Sequence, residues 1–391
     1  MAKWLEKTLG EVTAFIAKGI PPKYTEEENE NTIRVLNQKC NRNFEILYNE
    51  SRIHDCEKKK VPVDKMLRTG DVLINSTGTG TAGRVAQMVE VTVPTTIDGH
   101  MILIRPSEEL DPIYYGYAVK SFQSQIEGLA EGSTGQTEIN RRRLQDEVII
   151  RYPSDKLVQK NIGSFLANID EKIKTNKEIN KNLLQQAVAV FNKFYDVSTN
   201  QHPFTTLINV LGGGTPKTGN PEFWDGSIPF FTPKDVGTPY TFKTEKYITE
   251  LGLKHCNSRL YPTNTTFVTA RGTVGKISLA GTPMAMNQSC YALTSEIVDP
   301  LLVYFYVLKA VNALKHKASG AVFDAIVTRD FDGEIINILS DADSEAALSI
   351  IKPIMETIHN NSKENMRLSA VRDTLLPKLM SGEIDVSNVD L

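Results

Sequence analysis

The 391-residue sequence contains few cysteines and no long hydrophobic run. Its four cysteines form no CxxC pair and have no histidine at metal-ligand spacing, so they predict reduced thiols rather than a disulfide framework or a zinc site. No apolar segment reaches the ~18 residues that a membrane-spanning helix needs. The first residues, MAKWL, do not resemble the start of a signal peptide. We therefore expect a cytoplasmic protein that has no membrane partner.

The sequence also lacks a large excess of one charge. The formal net charge is −3, so the chain as a whole has no attraction for nucleic acid or for an anionic membrane. A site for a polyanion would require a local basic surface. The length predicts two or three domains, because a single hydrophobic core rarely extends beyond about 250 to 300 residues.

Motifs of known catalytic sites are absent as well. The segment GGGTPKTG, residues 212–219, lacks the GxxxxGK[ST] order of a phosphate-binding loop. An adenine methyltransferase would need a glycine-rich cofactor loop and an Asn/Asp-Pro-Pro-Tyr/Phe tetrapeptide. The nearest match, residues 220–223 (NPEF), lacks the second proline. With no HExxH or GxSxG either, the sequence predicts a non-catalytic chain with no catalytic residues, cofactor or metal.

One unusual segment, residues 212–236, combines five glycines and four prolines with four aromatic residues. A flexible linker would be rich in glycine and serine and would lack the aromatic residues. We therefore expect an ordered loop that is packed down by its own aromatic side chains. Trp224 is expected to anchor this loop in the core rather than to form a platform for base stacking.

An internal duplication is indicated by four pairs of similar segments that occur in the same order. The distance between the partners decreases slowly along the chain, from 195 to 185 positions, as small loop insertions and deletions would cause. The paired segments are 33–40 with 228–235, 80–85 with 272–277, 110–121 with 298–310, and 191–195 with 376–380. The sequence therefore predicts two copies of one unit, each with a turn-rich, strand-like part followed by a helix.

Each copy ends in a long segment with helical periodicity. Seam residues follow one another at steps of three and four, as in a coiled coil. Pro353 lies inside the second segment and is expected to kink that helix or to delay its regular part. The first seam contains Ile162, Phe165, Ile169, Ile173, Asn176, Asn180, Leu183, Ala187, Val190 and Phe194. The second contains Ala347, Ile350, Ile354, Ile358, Asn361, Asn365, Leu368, Arg372, Leu375 and Leu379.

Two asparagines occupy the same seam positions in both copies: Asn176 and Asn180 in the first, Asn361 and Asn365 in the second. If a pseudo-twofold axis relates the copies, the two helices run antiparallel and these side chains meet. A buried amide cluster would then fix the helix register, because a polar residue in a coiled-coil core penalises slipped pairings. The alternative is that the asparagines lie exposed at the edge of the seam.

Several motifs resemble the hallmark segments of the specificity subunit of type I restriction-modification systems. In the second half they are GGTPKTGNPEFWDGSIPFFTPKDV, TARGTVGKISLAGTPMAMNQSCYAL and LLPKLMSGEIDV. In the first half, KGIPPKYTEEE, IRVLNQKC and TTIDGHMILIRP resemble another class of target recognition domain from the same family. The segment YPSDKLVQKNI departs from the pattern, since it lacks the usual proline-rich, Glu-Gln-containing helix entry.

This resemblance implies a fold, a function and a set of partners. It implies that two target recognition domains each read one half of a split site in double-stranded DNA. It further implies that the helices space these domains and dock two methyltransferase subunits, with restriction/translocase subunits joining that core. If the half-sites lie about one turn apart on one face of the duplex, roughly 10 base pairs, the unspecified spacer is about 5 to 8 base pairs.

The predicted fold class is α+β, with two similar target recognition domains, β-rich with helices, alternating with two long helices that form an antiparallel coiled coil. The predicted boundaries are 1–152 for the first recognition domain, 153–196 for the first spacer helix, 197–342 for the second recognition domain, 343–382 for the second helix and 383–391 for a C-terminal tail.

Candidate DNA contacts are the basic and amide side chains of the turns. Basic side chains orient a domain on the phosphates, and amides and short polar groups read base edges. Taken singly, each is also explained as a solvated surface residue, and the arginine run also as one face of a helix. The candidates for phosphates are Lys23, Lys39, Arg84, Arg141, Arg142, Arg143, Lys217, Lys234, Arg271 and Lys276, and those for bases are Asn37, Gln38, Thr273, Asn287 and Gln288.

Two alternative functions remain open from the sequence. The chain is also compatible with the specificity subunit of a two-subunit type II restriction-modification system, which gene neighbours would distinguish. A duplicated scaffold that binds only proteins through its helices is the other alternative. Filter binding to random duplex DNA would separate that scaffold from a DNA-reading protein.

Overall fold

The structure is a computed structural model that describes residues 3–132, 137–317 and 325–384. The chain divides into two compact units. Unit 1 combines residues 1–172 with 368–391, and unit 2 comprises residues 173–367. Most of the expected C-terminal tail, from residue 385 on, lies outside the described residues. Within the described ranges, no helix has both the length and the apolar character needed to cross a membrane.

Unit 1 is built from short strands and three short helices, followed by the start of a long helix. The strands are β1 (Trp4–Thr8), β2 (Thr13–Lys18), β3 (Tyr24–Thr25), β4 (Thr32–Leu36), β5 (Asn41–Arg42), β6 (Glu45–Ile46), β7 (Arg52–Asp55), β8 (Val72–Asn75), β9 (Val85–Gln87), β10 (Thr95–Ile97), β11 (Met101–Pro106), β12 (Ala130–Glu131), β13 (Glu138–Ile139) and β14 (Ile149–Pro153). The helices are α1 (Pro112–Ser121), α2 (Gln123–Gly128), α3 (Arg141–Glu147) and α4 (Lys156–Tyr195).

Two four-stranded sheets form the body of unit 1. One has the order β2-β11-β8-β9 and is antiparallel throughout. The other has the order β10-β4-β7-β3, in which β10 and β4 are parallel. Successive side chains of a strand point to opposite faces. Accordingly, Ile102 and Ile104 of β11 pack into the core shared with α1, whereas Met101 and Leu103 pack into a second core with Leu36 of β4. Burial of both faces explains why residues 101–104 of β11 are all apolar.

Unit 2 contains the rest of α4 and repeats this construction. Its strands are β15 (Gln201–Pro203), β16 (Asn209–Gly212), β17 (Trp224–Phe231), β18 (Tyr240–Thr241), β19 (Lys246–Ile248), β20 (Thr266–Thr269), β21 (Ile277–Ala280), β22 (Ala285–Met286), β23 (Cys290–Thr294) and β24 (Ile335–Asn337). Its helices are α5 (Glu250–Lys254), α6 (Pro300–Lys317), α7 (Thr328–Asp332) and the greater part of α8 (Asp341–Ser381).

The strand orders of the two units confirm the predicted duplication. The order β16-β23-β20-β21 in unit 2 matches β2-β11-β8-β9 in unit 1, and β22-β17-β19 matches β10-β4-β7. Even the parallel pair recurs at the equivalent place, between β22 and β17. Each unit also joins its first and last strands in an antiparallel pair, β1 with β14 and β15 with β24. The predicted fold class is therefore correct.

The segment 212–236 differs from the expected loop, because residues 224–231 form strand β17. The register of β17 against β19 shifts between Trp224 and Ile228, and Asp225 within this bulge has a positive φ of 58°. A bulge adds residues to one strand and interrupts the alternation of side chains. That interruption removed the period of two by which a strand is recognised in a sequence.

The long helices, α4 and α8, contain 40 and 41 residues. The start of α8 at Asp341 lies before Pro353, so the proline does not delay the helix. The predicted second seam is wrong at Ile350, which is 48% exposed, whereas Ile351 and Met355 are completely buried. In this part of α8 the buried positions, Ala347, Ile351 and Met355, are four residues apart. After Ala347, the buried residues therefore lie one position later than the predicted seam residues Ile350 and Ile354.

In unit 2, α4 and α8 pack antiparallel through the seam asparagines. The Asn176 amide nitrogen donates to Asn365 Oδ1 at 2.9 Å and to Glu364 Oε2 at 2.7 Å. The Asn361 amide nitrogen donates to Asn180 Oδ1, also at 2.9 Å. Asn176 and Asn180 are both buried, which excludes the alternative that these two lie exposed at the edge of the seam. The contacts pair Asn176 with Asn365 and Asn180 with Asn361.

A prediction about stability follows from this pairing. Replacing Asn180 alone with leucine leaves the Asn361 amide without its acceptor, and we expect a loss of about 1–3 kcal/mol in the free energy of unfolding. Replacing Asn180 and Asn361 together removes both partners and should recover most of that loss. The control is the double replacement of Asn176 and Asn361, which breaks both pairs. Urea unfolding that shows the two double variants to be equally stable would contradict the observed pairing.

Candidate nucleic-acid interface

Three turns come together at one end of the sheets in each unit. In unit 1 they are turn A after β4 (residues 37–40), turn B between β8 and β9 (76–84) and turn C between β10 and β11 (98–100). In unit 2 the equivalent turns are A (232–236), B (270–276) and C (287–289). We refer to this set of turns as the three-turn edge of each unit.

In unit 1, Thr77 of turn B joins the other two turns. Its hydroxyl lies 2.8 Å from His100 Nδ1 of turn C and 3.3 Å from Gln38 Oε1 of turn A. The Ser76 backbone N–H donates to the His100 carbonyl at 2.8 Å, and the Asn75 side chain donates to the Gln38 carbonyl at 3.1 Å. Gln38 and His100 are therefore presented side by side by residues of turn B.

A glycine makes this close approach possible. Gly78 has a φ of +116°, which L side chains rarely adopt. A Cβ at this position would clash with the Thr81 hydroxyl and would lie 3.0 Å from Gln38 Oε1. Turn B thus depends on glycine both for its backbone conformation and for the space that Gln38 occupies.

In unit 2 the same three turns are also joined by hydrogen bonds, one of which has a direct counterpart in unit 1. The Ala270 N–H donates to the Ser289 carbonyl at 2.8 Å, which repeats the bond between Ser76 and His100 in unit 1. The Thr273 hydroxyl of turn B donates to the Pro233 carbonyl of turn A at 3.4 Å. Thr215 donates to the Gln288 side-chain oxygen of turn C. The framework of the edge is shared, but the side chains that it presents differ between the units.

The family comparison decides what kind of protein carries this duplicated edge. The sequence matches the family described as "Type I restriction modification DNA specificity domain" over residues 1–185 and 205–369. This chain belongs to that family. Since the two matched stretches lie one after the other along the chain, it contains the specificity domain twice, in agreement with the two units.

Relatives and solved structures agree with this assignment. Over 168 residues the chain is 28% identical to the type I restriction enzyme MjaIX specificity subunit of Methanocaldococcus jannaschii, covering 41% of this chain and 39% of that protein. It is 27% identical over 191 residues to the HindI specificity subunit of Haemophilus influenzae, covering 46% and 40%. The chain therefore matches about two fifths of the length of these relatives.

The fold of this specificity-domain chain is shared with a solved structure across nearly its full length. The crystal structure of the type I restriction-modification system S subunit from M. genitalium is similar with a TM-score of 0.60 and 16% sequence identity. The similarity covers 97% of this chain and 96% of that one.

Ten of the candidate DNA contacts lie at the three-turn edges of the two specificity units. The Asn37 side chain is already used inside turn A, since it accepts from the Lys39 N–H at 2.8 Å and donates to the Glu50 carbonyl at 3.1 Å. Lys234 lies 3.5 Å from a Glu245 carboxylate oxygen. The ten residues are Asn37, Gln38, Lys39 and Arg84 in unit 1 and Lys234, Arg271, Thr273, Lys276, Asn287 and Gln288 in unit 2.

Gln38 and Gln288 are each held by the side-chain oxygen at the tip of a turn. The side-chain oxygens of Gln38 and Gln288 each accept from a threonine hydroxyl. Their amide nitrogens have no hydrogen-bond partner among the described residues, and both side chains lie at the tips of the turns. An amide held in this way can donate to an acceptor on a base edge.

Two candidates, Lys23 and Lys217, lie outside the three-turn edges. The Lys23 N–H donates to His54 Nδ1 at 2.8 Å at the outer strand of its sheet. The Lys217 carbonyl accepts from the Trp224 indole N–H at 3.3 Å. Neither lysine belongs to turn A, B or C, but each lies within three residues of a contact to turn C, that of Ile20 with Asp98 or that of Thr215 with Gln288.

The arginine run, Arg141 to Arg143, forms the first turn of α3 beside turn B. The Ile139 N–H just before it donates to the Ser76 carbonyl at 2.8 Å. Arg143 is held by Glu147 at 2.6 Å and by Glu131 at 2.7 Å. These bonds raise the pKa of the Arg143 guanidinium and lower the pKa values of both carboxyl groups. Arg143 is thus engaged within the protein, whereas Arg141 has no ion-pair partner among the described residues.

A basic cleft next to the edge of unit 1 was not recognised from the sequence. It has a volume of about 490 Å³ and is lined by Arg42, Asn43, Thr81, Arg84 and Gln123. Arg42 ends β5, and the turn that follows it has positive φ at Asn43 (53°). Sequence reasoning singled out Arg84 but not Arg42, because the hairpin of β5 and β6 consists of two-residue strands without a periodic pattern.

In the described part of the chain, no three metal-ligating side chains form a cluster. The four cysteines are free thiols. Burial raises the pKa of Cys40 to about 11 and that of Cys290 to about 12, so these two thiols stay protonated near neutral pH.

Proposed function

We propose that this chain is the DNA sequence-specificity subunit of a type I restriction-modification complex, and that each unit reads one half of an asymmetric, bipartite site in double-stranded DNA. The observation that carries this proposal is the duplicated three-turn edge in a chain that belongs to the DNA specificity family. Two domains that recognise different half-sites would need the same backbone framework but different side chains at the DNA-contacting turns.

The chemistry of the two edges supports different half-sites. Turn A has the sequence Asn-Gln-Lys-Cys in unit 1 and Thr-Pro-Lys-Asp-Val in unit 2. Turn C has the sequence Asp-Gly-His in unit 1 and Asn-Gln-Ser in unit 2. Hydrogen-bonding groups at turn tips discriminate base edges, and basic groups beside them contact the phosphates. Because the two sets of tip residues differ, the two half-sites should not be palindromic.

The long helices are proposed to set the spacer between the half-sites and to dock two methyltransferase subunits, which restriction/translocase subunits then join. The length of the helices, 40 and 41 residues, supports the spacer role, because an α-helix rises about 1.5 Å per residue. In this proposal the chain is non-catalytic, and a partner flips and methylates the adenine.

The test is the methylome of a host that carries this chain together with its methyltransferase subunits. We expect one asymmetric motif with two specified parts and a fixed unspecified spacer. A host with the methyltransferase subunits alone should lack that motif, and the purified chain alone should transfer no methyl group to DNA. A palindromic motif, or methylation by the homogeneous chain, would refute the proposed function.

A further inference from the structure

Turn B closes in the same way in both units. The Gly83 N–H donates to the Asn75 carbonyl at 2.9 Å in unit 1, and the Gly275 N–H donates to the Thr269 carbonyl at 2.8 Å in unit 2. Both glycines have positive φ, 87° and 70°. The next residue along the chain is basic in both units: Arg84 in one and Lys276 in the other.

The helical residue that packs on this glycine carries opposite charges in the two units. A Cβ on Gly83 would lie 2.7 Å from Glu127 Cγ, and a Cβ on Gly275 would lie 2.5 Å from Lys315 Cε. Glu127 and Lys315 are equivalent positions, because each is fifteen residues beyond the proline that starts its helical segment, Pro112 or Pro300. At one shared position of the fold, the residue on the glycine is therefore acidic in unit 1 and basic in unit 2.

In unit 2 this exchange of charge creates a group of cations without a counter-charge. Lys315 Nζ donates to the Gly275 carbonyl at 2.7 Å, and Lys276 follows Gly275 directly. Partial burial lowers the pKa of Lys315, and the nearby charge of Lys276 lowers it further. Arg271, Lys276 and Lys315 are exposed, and none of them has an ion-pair partner among the described residues. Like charges held close together without a carboxylate favour binding of an anion.

We propose that Lys276 and Lys315 together bind one backbone phosphate of the DNA beside Gly275, and that unit 1 makes no equivalent contact because Glu127 occupies the place of Lys315. This inference rests on the proposed function, since it names how unit 2 holds the duplex. A phosphate contact contributes affinity and orientation but no base selectivity. The two units therefore differ in their phosphate contacts and in their affinity for the DNA backbone.

The proposal is tested with the full chain and a random-sequence duplex, by measuring affinity as a function of salt. Each phosphate contact contributes about 0.9 to the slope of log affinity against log salt. For Lys315→Gln, the decrease in affinity between about 50 and 200 mM salt should be about 3.5-fold smaller than for the unchanged chain. Lys315→Arg should retain the original slope. Lys193→Gln, which removes an exposed lysine of α4, is the matched control and should change nothing.

The reciprocal variant tests the difference between the units. Glu127→Lys should steepen the salt dependence by about one phosphate contact. If Lys315 only supported the turn through the Gly275 carbonyl, Lys315→Gln would lower the melting temperature and leave the slope unchanged. That result would overturn the inference. If the unchanged chain binds no duplex DNA at all, the proposed function fails instead, so the two failures are distinguishable.

Discussion

Replacement of Asp170 by leucine is expected to destabilise unit 1 by about 3 kcal/mol, because it leaves a largely buried arginine without its main counter-charge. Asp170 on α4 accepts from the Tyr117 hydroxyl at 2.6 Å and pairs with Arg372 of α8. The Arg372 side chain is only 16% exposed. Breaking a fully buried pair costs about 3–5 kcal/mol. Since the Asp170 side chain is 27% exposed, we expect the lower end of that range.

A neighbouring ammonium group adds to this effect. Burial, followed by the charge of Arg372, lowers the pKa of Lys120 to about 8. Asp170 opposes this shift more than any other carboxylate does, so its removal leaves Asp373, which pairs with Arg372 at 2.8 Å, to offset the two cations. The leucine variant should therefore be less stable than loss of the Tyr117 hydrogen bond alone would predict.

Unit 2 offers a matched control for this prediction. The positions equivalent to Tyr117, Asp170 and Arg372 are occupied there by apolar side chains that are all buried. Met355→Leu, at the position equivalent to Asp170, is expected to change stability by less than about 1.5 kcal/mol. A triple variant of unit 1 that copies unit 2 should recover most of the loss, because a well-packed apolar set often replaces an ion pair without cost. The copied residues are Phe305, Met355 and Ala187.

The measurement can be confined to unit 1. The chain has two tryptophans, of which Trp4 packs against the core of unit 1 and Trp224 lies in unit 2. In a Trp224→Phe background, the fluorescence of Trp4 reports urea unfolding of unit 1. For the Met355→Leu control, Trp224 in a Trp4→Phe background reports that of unit 2. A loss below about 1 kcal/mol for the leucine variant, or a triple variant no more stable than the single one, would show that the ion pair contributes little.

Exchange of residues 1–153 for the corresponding part of another family member is expected to change one half-site completely and to leave the other half-site and the spacer unaltered. Unit 1 has its own two sheets and two cores, so its recognition edge should travel with the exchanged segment. Residue 153 is the appropriate boundary because β1 pairs with β14 from Trp4↔Pro153 to Thr8↔Ile149. A junction at residue 152, the predicted end of the first recognition domain, would leave Pro153 of this strand pair outside the exchanged segment.

The exchange is read out by methylome sequencing of the host that carries the chimera and its methyltransferase subunits. Methylation at the original site should disappear, and a new motif should share one half with the old one. The reciprocal exchange of the strand-rich part of unit 2 is the control and should alter the other half. Simultaneous change of both halves by either exchange would show that the units do not read DNA independently.

The repeated parts of the fold could be predicted because both copies preserve the same order of elements. The distance between equivalent segments decreases steadily, so turn B and the long helices could be paired from the sequence alone. The central seam was also correct, since Ile173, Asn176 and Asn180 are all buried. A seam of this kind is a local property of the sequence, repeated every three or four residues.

What could not be predicted depends on contacts between distant residues. The parallel pairing of β10 with β4 joins Thr95 to Arg34, and no local pattern encodes such a partner. One of the acids that hold Arg143 was missed for a similar reason, because Glu131 lies on β12 and not on α3. The opposite charges of Glu127 and Lys315 looked like ordinary surface residues until the structure placed each of them on a glycine of turn B.

The composition of unit 1 from two separate stretches of chain has a consequence for the order of folding during synthesis. A ribosome releases residues 1–172 first, but the core of unit 1 also contains Leu376, Leu379 and Met380. Until these residues emerge, the apolar face of α4 at Ile162 and Leu166 lacks part of its cover. Unit 2, by contrast, is one uninterrupted stretch. The nascent chain therefore completes its second unit before its first, which reverses the usual order of domains emerging from the ribosome.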